Sequence, residues 1–232
     1  MELHWNKFQL LSVQSTAEVR TTDGTSINAK PALEYLGAMI ASDGGHCNEL
    51  ARRIGAAKST FNSLAKIWRH SNLTGLGKVR VFASLVESKL LYSLSSVCLN
   101  VAEQRQLNGF QNRCLRHIVG IKPSFISRVT NAAVLQRSGH TLATTLLLKR
   151  QLQLFGKVLR SPEHHPLRTT SFIPGTDHPL TDRYVRRRGR PAREWVPEMI
   201  GKAVALVGSM ADVKQAASDK TTWNAHLREL IC

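Results

Sequence analysis

The chain has 232 residues, 42% of them hydrophobic, enough to bury a sizeable core as one large or two small domains. Its 32 Lys+Arg against 16 Asp+Glu give a formal charge of +16, and such an excess points to a polyanionic partner, nucleic acid first. No apolar run reaches the roughly eighteen residues of a membrane span, MELHWNKF lacks the layout of a secretory signal, and four scattered cysteines, Cys47, Cys98, Cys114 and Cys232, argue against a disulfide framework.

Residues 3–13, LHWNKFQLLSV, read as a short strand-like segment that includes Lys7. Asp23-Gly24 is a hairpin-turn signal, Leu33–Ile40 reads as a strand holding Tyr35-Leu36-Gly37, and Ser42-Asp43-Gly44-Gly45 is turn chemistry. Residues 1–45 therefore form a small β element, too slight to be stable alone, that looks like the margin of a larger sheet. Its exposed apolar face predicts aggregation of the isolated chain.

Three amphipathic helices follow over 46–122 and predict a bundle. In the first, Leu50, Ile54, Ala57, Phe61, Leu64 and Trp68 recur at alternating spacings of four and three, with Arg52, Arg53, Lys58, Lys66 and Arg69 opposite. The second, Leu73–Leu99, carries Leu76, Val79, Phe82, Val86, Leu90, Leu91 and Leu94 on a broad stripe. The third, Ala102–Val119, turns Leu107, Phe110, Cys114, Leu115 and Ile118 inward and carries Arg113 and Arg116; Gly120 ends it and Pro123 stops its resuming. Over 46–122 there are 12 Lys+Arg against Glu49, Glu87 and Glu103 alone. Solvated helix faces are usually mixed in sign, so this excess predicts a surface that tracks a phosphate backbone.

Further helices read at Asn131–Ser138 and Leu142–Arg160, making 123–160 an additional helical stretch. Residues 161–193 read as a Pro- and Arg-rich linker containing Arg186, Arg187, Arg188 and Arg190. Arg188-Gly189-Arg190-Pro191 is the core of an AT-hook, whose Arg side chains enter a narrow minor groove; a nuclear-import signal and a solvated Arg run are the competing readings. Residues 194–232, with Trp195, Met199, Val213, Trp223 and Leu227, predict a small helical segment. The expected fold class is mainly α with a small N-terminal β-hairpin.

Other ligand-like patterns carry no site. Cys114-x-x-His117 has ligand spacing, but Cys114 lies on the apolar stripe, where a core thiol is the commoner role. His164-His165 stands in a Pro-flanked loop, Gly75–Lys78 lacks the phosphate-loop spacing, and no nucleophilic triad is marked.

Tyr35-Leu36-Gly37, a turn, then Glu49, Arg53-Ile54, Ala57, Phe61, Leu64 and Trp68 resemble the C-terminal part of reverse transcriptases from non-LTR (LINE-type) retrotransposons. There, such a stretch joins the last palm strands to the first thumb helix. Leu3, Asn6 and Lys7, Leu90-Leu91-Tyr92, the run Phe110–Ile121, Gly156–Arg160, and Gly189-Arg190-Pro191 with Trp195 are similar to the same family, so the resemblance spans about 3–195. Ser93, Cys98 and Lys157 depart from its pattern; Lys157 keeps a donor where His is common but excludes metal ligation.

The resemblance implies a palm edge at 1–45 and a thumb at 46–122 that grips template–primer or element RNA. Lys and Arg would contact phosphates, with Tyr35-Leu36-Gly37 near the primer end. It implies RNA and DNA as partners, together with the palm and fingers of the same polyprotein. The metal-binding carboxylates, with their Mg²⁺, would lie upstream of Met1. The chain contains no Asp-Asp dipeptide, so it is expected to bind no cofactor and to be catalytically silent alone. By resemblance Lys7 would protonate the leaving pyrophosphate; an exposed strand Lys is the plainer reading. A free-standing DNA-binding module using the RGRP segment is the alternative, and the remnant of a 5′-truncated element a third. The expected location is intracellular, the nucleus rather than the cytoplasm.

Overall fold

The computed structural model describes residues 8–13, 15, 18–42, 47–181 and 193–230. It is mainly α, with one small two-stranded hairpin near the N-terminus, as the sequence predicts. Lys7, Asp43-Gly44-Gly45 and Arg186, Arg187, Arg188 and Arg190 lie outside the described residues.

Strands β1 (Ala32–Tyr35) and β2 (Ala38–Ala41) pair antiparallel, with Tyr35 opposite Ala38. The expected single strand over 33–40 is thus folded in half. Leu36 (φ 48°) and Gly37 (φ 77°) are both left-handed, the two-residue hairpin turn that matches strand twist. Gly37 adopts this freely, whereas Leu36 does so at a steric cost that other contacts must offset. The Asp23-Gly24 signal also marks a turn, with Gly24 at φ 82° and Arg20 bridging Ser26.

Helix α1 (Cys47–Ser63) breaks at Leu64 and resumes as α2 (Ala65–His70). The Trp68 indole N–H donates to the Phe61 carbonyl at 2.8 Å and its ring stacks on Phe61 at 5.1 Å, which closes the kink. Helix α3 (Gly75–Val81), capped by Thr74, runs through a π-helical turn (Phe82–Glu87) into α4 (Ser88–Leu90). The wider turn buries Phe82, Val86 and Glu87 together. The expected helix to Leu99 stops short because Ser93 takes φ 60°, and a single 3₁₀ turn (Leu94–Ser96) follows. Helix α5 (Val101–Ile118) opens on a reciprocal cap between Asn100 and Glu103. Then come α6 (Ser124–Ser127), α7 (Asn131–Ser138) and the long α8 (Ala143–Arg160).

Most of the stripe residues predicted on these helices meet in one apolar cluster that includes Leu50, Ala57, Trp68, Phe82, Leu94, Leu107 and Leu115; Leu76, expected on the second stripe, is instead exposed in the first turn of α3. It runs past residue 122 to take in Val134 of α7 and Ala143 and Leu147 of α8. The far half of α8 (Leu152, Phe155, Val158) founds a second cluster with α10 (Trp195–Val207), α11 (Met210–Ser218) and α12 (Lys220–Glu229). The stretch 161–181, expected to be linker, is packed as well. It holds α9 (Pro166–Thr169) and sinks Phe172 into the second cluster. The prolines stop a long helix there without keeping an aromatic ring out of the core. Among the described residues no helix is long and apolar enough to cross a membrane.

Candidate nucleic-acid interface

The hairpin turn is held to the bundle by one carboxylate. Glu49, only 3% exposed, accepts the Met39 amide of β2 at 2.9 Å, Arg52 Nε at 3.2 Å and Arg53 Nε at 2.5 Å, and also the Ser93 hydroxyl. Burial pushes this carboxyl up, but Ser93, the Met39 amide and Arg53 outweigh it and hold it below the ordinary range. Arg52 and Arg53 both donate to the Gly37 carbonyl, and the Tyr92 hydroxyl donates to Leu36 O at 2.8 Å. Arg53 also lies over the Tyr92 ring, 4.6 Å from its centroid. Tyr35 and Leu36 are consequently presented to solvent on a turn whose backbone is fixed from below.

This arrangement changes the role of three residues expected to contact phosphate. Arg53 is buried, and Arg52, half-buried, also pairs with Glu34 at 3.0 Å. Arg116 is buried too: its guanidinium donates to Lys122 O (3.3 Å), Val129 O (2.7 Å) and Asn131 Oδ1 (2.9 Å), fastening the loop after α5. Three of the expected contacts thus serve the fold: Arg52 and Arg53 pair with Glu49 at helical spacing, and their contacts to Gly37 O, like that of Arg116 to Val129 O, reach too far in sequence for periodicity to reveal.

Lys58, Lys66, Arg69 and Arg113, by contrast, are exposed. The edge contact of Phe61 with His117, 5.7 Å between centroids, brings the C-terminal half of α1 beside that of α5, so these cations sit on neighbouring elements. Arg80, Lys89, Arg105 and Lys122 are exposed on the same bundle. The acids are all inside. Glu49 (3% exposed), Glu87 (4%) and Glu103 (8%) are the only carboxylate side chains between residues 47 and 160. Glu87 accepts Gln111 Nε2 at 2.9 Å and meets His140 Nε2 at 3.1 Å, while Glu103 caps α5. The surface of that whole stretch therefore carries exposed cations and no exposed carboxylate.

The second cluster is built differently. Asp177, held low by Lys214 and Arg168 against the opposing effect of burial, joins α11 to the loop after α9. Trp195 donates from its indole to Ser95 O at 2.9 Å and tilts its edge on Phe155, tying α10 to the 3₁₀ turn. Cys98 and Cys114 are buried, and burial pushes both thiols up to about 12. Cys114 is the core thiol that its stripe position predicts.

Comparison of the chain with protein-family models, curated proteins and solved structures gives no match.

Proposed function

We infer that the bundle is a nucleic-acid grip. It would hold a template–primer hybrid or an element's RNA by its phosphates, beside a polymerase active site carried by a palm. The observation that carries this reading is the separation of charge: every carboxylate from residue 47 to 160 is turned inward while Lys58, Lys66, Arg69 and Arg113 face outward. A surface of one sign is costly through self-repulsion and useful against a polyanion. Contacts of this type position a strand and carry little sequence information. The sequence resemblance to LINE-type reverse transcriptases supports the choice of a hybrid, with Tyr35-Leu36-Gly37 then lying toward the primer end.

The test is binding to an RNA–DNA hybrid, a mixed-sequence duplex and an AT-rich duplex across a salt series. The grip requires the hybrid to bind at least as well as either duplex, with log K against log salt falling at a slope of about −5, as for about six phosphates. Preference for the AT-rich duplex that Arg190→Ala abolishes would instead support the DNA-binding module. Weak, salt-indifferent binding to all three rules out both.

A further inference from the structure

Beside the exposed cations, α5 and the loop that follows it enclose a cleft of about 620 Å³, within the range of roughly 300–1,000 Å³ typical of small-ligand sites. Asn112, Arg113, His117, Ile121, Phe125 and Asn131 contribute to its walls, and none of its lining residues is acidic. The far wall is fixed in place by Arg116, whose three acceptors Lys122 O, Val129 O and Asn131 Oδ1 all belong to the loop and the start of α7.

Two features there have no use within the fold. Asn112 is only 4% exposed; its amide Nδ2 donates to Asn108 O at 2.8 Å, yet its buried Oδ1 accepts nothing. A buried acceptor without a donor is costly, and native interiors rarely leave one. Phe125, at the same cleft, is 73% exposed, and Ile126 beside it is exposed as well. A ring held out in water adds nothing to the core, and it is a platform for another flat π system.

We propose that this cleft receives one unstacked nucleobase of a single-stranded nucleic acid, stacked on Phe125 and hydrogen-bonded to Asn112 Oδ1, with Arg113 on the adjoining phosphate. The three features call for a flat ring, an N–H donor and an anion, and a nucleotide combines them. With its Nδ2 committed to Asn108, Asn112 offers only an acceptor. It therefore selects a base that presents an exocyclic amine, as cytosine does. In thymine and uracil the one N–H is flanked by two carbonyls, whose oxygens the acceptor Asn112 Oδ1 would repel. The inference rests on the bundle being a nucleic-acid grip and adds a single-strand site to it.

The experiment measures binding of oligo(dC), oligo(dT) and a blunt RNA–DNA hybrid to the full chain, Phe125→Ala, Asn112→Leu and the triple variant Lys58→Glu/Lys66→Glu/Arg69→Glu. Phe125 is exposed, so its truncation leaves the fold intact, and thermal melting checks this for each variant. Phe125→Ala is expected to weaken oligo(dC) roughly tenfold, the loss of one stacked base, and to leave the blunt hybrid unchanged. Asn112→Leu is expected to erase a several-fold preference for oligo(dC) over oligo(dT). Unchanged oligo(dC) binding by Phe125→Ala overturns the cleft site, as does a dC preference that survives Asn112→Leu. If the hybrid responds to the triple variant in that case, the grip stands without the cleft. Failure of every form to bind any of the three probes removes both.

Discussion

Glu49 is where the hairpin and the bundle become one object, and its chemistry sets a pH dependence. Its folded-state pKa lies below the unfolded value of about 4.3. A lowered carboxylate stabilises the fold above the unfolded pKa, and that contribution is lost as pH falls through the folded one. Hairpin docking should therefore be constant from neutrality to about pH 5 and loosen below about pH 4. Amide exchange at Met39, which donates to Glu49, reports it directly. Glu49→Ala should abolish that protection at every pH and cost about 3 kcal/mol or more, since it leaves Arg53 buried without its carboxylate. Leu36 makes the opposite case. It is exposed at φ 48°, where Asn is far better tolerated, so Leu36→Asn should raise the melting temperature by the equivalent of about 1 kcal/mol. If Leu36 touches the nucleic acid, hybrid binding will weaken in that same, more stable variant.

Among the elements, α8 governs how much of the chain can pack. Its near half closes the first cluster, and its far half lies against Trp223, whose indole N–H donates to Leu152 O at 2.8 Å. A Cβ on Gly156 would stand 2.4 Å from Trp223 Nε1. Gly156→Ala should therefore displace the indole and lose its hydrogen bond. The cost should be about 3 kcal/mol, despite a gain in helix propensity of about 1 kcal/mol. Calorimetry and the near-ultraviolet signal of Trp223 test this, and an unshifted melting temperature would contradict it. Periodicity made α5, α7 and α8 readable to within a residue or two, because each buries a regular stripe, while the stripe from Leu50 to Trp68 ran on through the break at Leu64 that separates α1 from α2. It failed where tertiary contacts decide the backbone: the π turn around Phe82 and Glu87, the left-handed Ser93 that feeds Glu49, and the fold-back at Leu36-Gly37. The burial of Phe172, and the packing of Trp223 onto Gly156, were unreadable for a related reason. They belong to a core assembled from short pieces around a glycine, and no window of sequence shows that core. The same limit applied to the cations: the exposure of Lys58, Lys66, Arg69 and Arg113 was legible from the sequence. The contacts of Arg53 to Gly37 O and of Arg116 to Val129 O depended on carbonyls 16 and 13 residues away.

For the whole molecule, the net charge of +16 is less informative than its placement. If the cations were distributed at random over the bundle, some of its carboxylates would lie among them outside; instead, all of those between 47 and 160 anchor the interior. This predicts two separable classes of arginine and lysine variant. Lys58→Glu/Lys66→Glu/Arg69→Glu changes only exposed side chains, so the melting temperature should move by little. If the three contact phosphates, the slope of log K against log salt should become shallower by about 3. Arg116→Ala releases Val129 O, Lys122 O and Asn131 Oδ1 together, a loss expected to cost about 3 kcal/mol in stability. It should leave the salt slope of the remaining folded protein nearly unchanged, because a guanidinium engaged inside releases few counterions when a strand binds. Equal effects of the two variants on the slope would mean that the separation of inward and outward charge has no bearing on binding.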